Sequence, residues 1–361
     1  MRVKLLTILL ALSSLLWGCS HAPAASALPG VTAGGNPAPA SKTDRPFAYV
    51  AQTCVTTSCP APNGLVQVLG GAAITGGIEN PTTLALDGSG NLYVGNATSS
   101  NEGNITVYSP TGGDPLRTLT GVVGVPKGLV ANPAGRLFAI AQYKAGCCQF
   151  EGTGGIYGTG RTKPRQAIKG LSGFAHSPVL DKSGNVYVGN FVVFPGWVTV
   201  YGRGKFRPSR VIDKGIGLPI QLALTPDGDL VVLNGLFSGG YDVTVYAPGQ
   251  STPSLTITAG LQASTGVAVD PDGNIYVANG RDKRKRGFIG VYQSGQTTLS
   301  RSIYAGITYP SAIAFDGSGR LYVANVPNNK PDNVAVYAPG GSRPVHTYKL
   351  TEQFSALAVP Q

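Results

Sequence analysis

Short runs in which apolar and polar residues alternate, each closed by turn residues, follow one another along most of this chain. The stretch around Asp270 holds one complete set. Gly266-Val267-Ala268-Val269 leads into the turn Asp270-Pro271-Asp272-Gly273, and a second run covers Asn274 to Ala278. A third run is Ile289-Gly290-Val291-Tyr292, and a fourth extends from Leu299 to Tyr304 before Ala305-Gly306. Period-two alternation bounded by Gly, Pro and Asp predicts strands. The glycine of the Asp-Pro-Asp-Gly turn can take positive φ, which suits a tight antiparallel hairpin. The set therefore predicts four antiparallel strands.

The set recurs. Asn91-Leu92-Tyr93-Val94-Gly95-Asn96 returns as Asn185-Val186-Tyr187-Val188-Gly189-Asn190, as Asn274-Ile275-Tyr276-Val277-Ala278-Asn279 and as Arg320-Leu321-Tyr322-Val323-Ala324-Asn325. Weaker copies end at Gln52, Gln142 and Asn234. The terminal amides Gln52, Asn96, Gln142, Asn190, Asn234, Asn279 and Asn325 are thus spaced by 44, 46, 48, 44, 45 and 46 residues. Four strands every 40–50 residues or so is the pattern of a β-propeller. The last unit stops after one run, Ala356-Leu357-Ala358-Val359, and the first, at Phe47, lacks that run. Joined, the two ends make one blade from three N-terminal strands and one C-terminal strand. The predicted fold is all-β, a seven-bladed propeller closed in this way, so that sheet edges stay short and protected.

The first runs also show how blades stack. Leu84, Leu129, Leu222, Val267, Ile313 and Leu357 align as large residues, and Ala85, Ala223, Ala268, Ala314 and Ala358 follow them as small ones, with Val130 and Val179 as exceptions. Because side chains alternate faces along a strand, each inner strand offers a bulky face to one neighbour and a small face to the other.

The N-terminus departs from this pattern. Arg2 and Lys4 precede the apolar run Leu5 to Trp17, which is short for a bilayer span. Leu16-Trp17-Gly18-Cys19 resembles the lipobox of bacterial lipoproteins, although Trp17 is unusual within it. The resemblance implies cleavage after residue 18 and a lipid on Cys19. The alternative is an ordinary secretory signal with an incidental cysteine. Residues 19–45 are rich in Ala, Pro, Ser and Gly and read as a flexible tether, which leaves 46–361 for the propeller. The expected location is the cell envelope, with the lipid as the only membrane contact. In a Gram-negative source, Ser20 favours the outer membrane.

Composition adds little charge to exploit. The net charge is +11, but Asp, Glu, Lys and Arg are only 12% of the chain. An exported protein meets no nucleic acid, so the expected electrostatic partner is an anionic envelope polymer or head group. The one dense run is Arg281-Asp282-Lys283-Arg284-Lys285-Arg286, a solvated loop tip or, on the functional reading, a steering patch. Cys54, Cys59, Cys147 and Cys148 are disulfide candidates in an oxidising compartment, with three pairings open. Their spacing matches no zinc pattern.

The repeat, Asp270-Pro271-Asp272-Gly273-Asn274-Ile275-Tyr276-Val277-Ala278-Asn279 above all, resembles the NHL, YVTN and SMP-30 (lactonase-like) propellers. That likeness covers nearly all of 46–361. It implies the fold and says little about activity, since such propellers host unrelated functions. Lactonase-like members hold a divalent metal at the central funnel with acidic and amide side chains, which would place calcium or magnesium near the seven amides. Here Glu79 is the one carboxylate expected at the mouth, apart from Glu352 at the closure. The connections from fourth to first strands, with Glu79, Lys127 and His176, are expected at that mouth. His21, His176 and His346 cannot cluster, unlike the histidines of streptogramin-lyase-like propellers, and no Gly-x-Ser-x-Gly elbow accompanies His176.

The seven amides end equivalent strands and so share one face of the disk with the variable loops that follow them. Their structural reading is bonding to nearby backbone, and their functional reading is a polar funnel. Two functions follow. The first is a non-enzymatic module that needs no cofactor and binds an envelope protein, peptide or anionic glycan, with Phe191, Phe194 and Trp197 as apolar anchors and Arg281, Lys283 and Arg284 steering. The second is a metal-dependent, lactonase-like hydrolase or lyase. No residue is assigned as catalytic.

Overall fold

An Asp-x-x-Gly turn, at Asp87, Asp181, Asp270 and Asp316, sets the first hairpin of four blades, and Asn132 and Thr225 stand in place of the Asp in two more. A computed structural model of the chain describes residues 48–54, 63–145, 149–171, 173–281, 286–327 and 331–361. In the 87–91 turn, Asp87 accepts the Ser89 and Asn91 backbone N–H groups at 2.9 and 3.0 Å, and its other oxygen accepts from the Asn91 amide and the Tyr93 hydroxyl. Asp181 and Asp316 repeat both the backbone bond and the tyrosine bond. A carboxylate that satisfies turn N–H groups and a strand tyrosine together fixes where the second strand begins.

Seven four-stranded sheets result, each antiparallel throughout. Blades 1 to 6 span 81–119, 125–167, 174–212, 218–257, 264–303 and 310–349, and blade 7 joins 353–358 to 49–74. The closure is the one expected. Gln353–Ala358 pairs antiparallel with Tyr49–Thr53, and Val50 lies opposite Leu357. The fourth strand of blade 5 is shorter than the sequence suggests. It covers only Arg301–Ile303, because beyond it the chain turns inward to the next blade.

The core is divided among the interfaces between blades. Each of the seven buried apolar clusters among the described residues draws on two neighbouring blades. The large–small alternation works as predicted at these interfaces. Leu84 packs back on blade 7, whereas Ala85 packs forward on blade 2. Tyrosines at the ends of third strands add a latch. Tyr108, Tyr157, Tyr201, Tyr246, Tyr292 and Tyr337 each donate to a carbonyl in the connection that leaves the preceding blade, at 2.6 to 3.0 Å. All six are buried, and burial raises the pKa of Tyr246 and Tyr292 to about 12, which keeps these hydroxyls as donors. Blade 7 has Leu69 at this position.

Candidate functional site

In every blade the second strand ends, and the third begins, on the same face of the disk. The connections between blades open there too. The seven amides lie just under this face, and they do not present themselves to it. Gln52, Asn96, Asn190, Asn234, Asn279 and Asn325 are wholly buried and Gln142 nearly so. Asn96 accepts the Glu79 N–H, Asn234 that of Gly217, Asn279 that of Gln262 and Asn325 that of Thr308. Gln52 accepts from Thr351 and Glu352, which fastens the ring closure. The amide nitrogens turn back on their own blade, as Asn96 does to Thr106 and Asn190 to Thr199. Five of the seven carbonyl oxygens thus satisfy an N–H of the incoming connection, which has no strand partner there. Gln142 Nε2 and Asn190 Oδ1 are the departures, buried without a partner among the described residues. Of the two readings of the amides, bonding to nearby backbone is the one these five follow.

The residues expected at the mouth also separate. Glu79 lies in a connection, half-buried. Lys127 and His176 do not; they sit inside the inner strands Val125–Ala131 and Phe174–Leu180, which begin earlier than the sequence pattern suggests. Both occupy the level where every inner strand carries a bulge, two residues before its large residue. His176 is buried against Gly189 and Phe191, and its ring nitrogens have no hydrogen-bond partner among the described residues. Burial pushes its pKa down to about 4, opposed by the nearby Pro219 carbonyl. His176 is therefore neutral at neutral pH and is a poor candidate for a charged catalytic group.

A divalent metal does not fit these residues. Five of the amide oxygens already accept backbone N–H groups, and among the described residues no three His, Cys, Asp or Glu side chains come together. A hard cation needs several oxygen ligands with carboxylates among them.

The face does carry aromatic residues. Phe174 stacks on Phe191 with ring centroids 4.8 Å apart, and Phe150 packs on Phe174 at 5.0 Å. In the same loop Phe194 meets Phe237 of the next blade at 5.4 Å. These rings join blades 2, 3 and 4. Phe194 and Phe237 are 40% and 60% exposed, and Val192 and Val193 beside them are 53% and 73% exposed. Apolar side chains concentrated to this degree on one face differ from the scattered exposure of an ordinary surface. Two of the three anchors proposed from sequence, Phe191 and Phe194, belong to the patch. The third, Trp197, opens a third strand half-buried and makes no ring contact among the described residues. Phe150, Phe174 and Phe237 escaped notice because each stands outside the aromatic loop 191–197, at a strand start or loop tip.

Of the basic run, Arg281 lies over the Tyr309 ring at 5.8 Å and Arg286 over Tyr304 at 4.4 Å, while Lys283 and Arg284 lie outside the described residues. Cys54 is disulfide-bonded. Cys19, Cys59, Cys147 and Cys148 lie outside the described residues.

No family profile matches the chain, and no curated protein is similar to it. Solved structures are. A protein from Lactobacillus plantarum superposes with a TM-score of 0.64 at 18% identity, over 88% of this chain and 99% of that one. Hydrazine synthase of Kuenenia stuttgartiensis superposes with a TM-score of 0.57 at 12% identity, over 72% of this chain and 76% of that one. At these identities the likeness establishes the propeller fold alone.

Proposed function

We propose that this protein is a binding propeller of the NHL, YVTN and SMP-30-like kind, exported and held at the cell envelope by a lipid on Cys19. Its loop-bearing face takes a polypeptide partner. The observation that carries this reading is the aromatic group of Phe150, Phe174, Phe191, Phe194 and Phe237, which spans three neighbouring blades, with Phe194 and Phe237 exposed and the other three partly buried. Aromatic rings at the centre of a rigid face are the usual anchors of an interface, because they bury much apolar area for little entropy. Beneath Phe237, Asn234 accepts the Gly217 N–H, and beneath Phe191 the Asn190 amide nitrogen donates to Thr199, which ties these parts of the face to their blades. Arg281, at the rim with its loop, would steer an acidic partner.

The test pans a random peptide library against the full chain and against a Phe191→Ser/Phe237→Ser variant. Peptides rich in apolar residues that bind the wild type and lose about tenfold or more on the variant support the reading. Equal enrichment on both proteins refutes it. A glycan array run in parallel assigns the face to saccharides if it alone gives patch-dependent binding. For the anchor, Cys19→Ala is expected to move the protein from the membrane fraction to the soluble one, and retention in the membrane fraction refutes lipidation at that residue.

A further inference from the structure

The faces of each inner strand are covered by the two neighbouring blades, and one edge is covered by its own second strand. The seven inner strands contact one another in a closed circle. Accessible surface in the middle of such a strand therefore opens onto the axis of the ring. In six of the seven, one mid-strand residue keeps some accessible surface among buried neighbours, always at the bulge: Thr82, Lys127, Ile220, Thr265, Ser311 and Ser355. His176 fills the seventh place. This level of the axis holds one cationic side chain and no carboxylate.

Two of its residues are spent on the ring itself. Thr82 donates to the Pro126 carbonyl of the next blade at 2.6 Å, and Thr265 donates to that of Pro310 at 2.7 Å. Lys127 has no such bond. Its ammonium is not fully enclosed, and no acidic group acts on it, so burial alone lowers its pKa. A largely buried lysine without a counter-charge is unfavourable unless something on the axis supplies one.

We propose that the axial channel at the bulge level binds a small oxyanion, with Lys127 as its counter-charge. The ligand class is that of phosphate, sulfate or the carboxylate of a small organic acid. The residues at this level bring no carboxylate, so a cation would find no anionic ligand there to replace its hydration. Lys127 is not one of the aromatic residues of the loop face, so either assignment can fail without the other.

The experiment titrates sodium phosphate, sodium sulfate and sodium acetate separately into the full chain at constant ionic strength, followed by calorimetry. Saturable binding of at least one of them at one equivalent is expected, weakened about tenfold or more in Lys127→Met through loss of a charge-assisted bond. Lys182→Met, which removes an exposed lysine bonded to the Pro226 carbonyl, is expected to bind as the wild type does. Which of the three salts binds separates an inorganic from an organic source. A second readout needs no variant: acetylation of Lys127 in the wild type, followed by peptide mass spectrometry, is expected to slow severalfold when the anion is present, with Lys182 unaffected. Absence of saturable binding overturns the proposal. So does binding that survives Lys127→Met, or acetylation of Lys127 that is indifferent to the anion.

Discussion

His176 makes the propeller sensitive to acid, and the effect can be worked out from its surroundings. The imidazole is buried between Gly189, Phe191 and the Pro219 carbonyl, and burial lowers its pKa from 6.5 to about 4. No acidic or basic side chain contributes to the shift. The unfolded chain takes up this proton first as pH falls. The contribution of neutral His176 to stability is therefore complete above about pH 6.5 and is lost as pH falls to about 4. At about 1.4 kcal/mol per pKa unit, the loss approaches 3 kcal/mol. His176→Thr is the informative perturbation, because threonine already occupies the equivalent place as Thr82 and Thr265 and bonds the next blade's proline carbonyl there. The variant forfeits some packing at every pH and removes the titration. Urea unfolding of both proteins at a series of pH values between about 7 and 4 measures the difference, with fluorescence of Trp197 as probe. The gap between wild type and variant is expected to shift by about 3 kcal/mol in the variant's favour across that window. Parallel stability curves for the two proteins would refute both the burial argument and the placement of the imidazole.

Three further outcomes test the clasps, the stacking and the closure. Asn279→Ala leaves the buried connection of blade 5 without the acceptor for Gln262 N–H and Ser264 Oγ, and is expected to cost about 1–3 kcal/mol in urea unfolding. Thr111→Ala, at an exposed turn contact with the Ser109 hydroxyl, serves as its near-neutral control. Ala268→Leu places extra methyl groups where Ala268 packs on the sheet of blade 6, and is expected to cost about 1–3 kcal/mol; melting together with the wild type would count against interdigitated blades. Deleting residues 353–361 removes the inner strand of blade 7 and exposes both Tyr49–Thr53 and the flank of blade 6. Loss of the cooperative transition is expected on circular dichroism, and a truncated chain that melts as the full one does would show that closure is dispensable.

What could be read in the sequence was what local chemistry repeats. The Asp-x-x-Gly turns, the strand alternation and the amide that ends each second strand recur at a fixed period, so blade count, strand order and the split closing blade follow from the chain alone. The large–small pairing of Leu84 with Ala85 and its equivalents also showed which faces meet, because it depends only on alternation along a strand. The role of the amides was open in the sequence, since asparagine at a strand end suits a clasp and a funnel equally. Only the fold showed that the oxygens of five of them are turned to the N–H groups of incoming connections. Lys127 and His176 were assigned to connections because a bulge breaks the period-two pattern and hides the true start of the inner strand. The aromatic patch was invisible for another reason: Phe150, Phe174, Phe191, Phe194 and Phe237 come from three blades, and no window along the chain contains them all. The period of the chain fixes what each blade is. Which residues meet at the axis and across the loop face is decided by closing seven blades into a ring, because those contacts join residues that are distant in sequence.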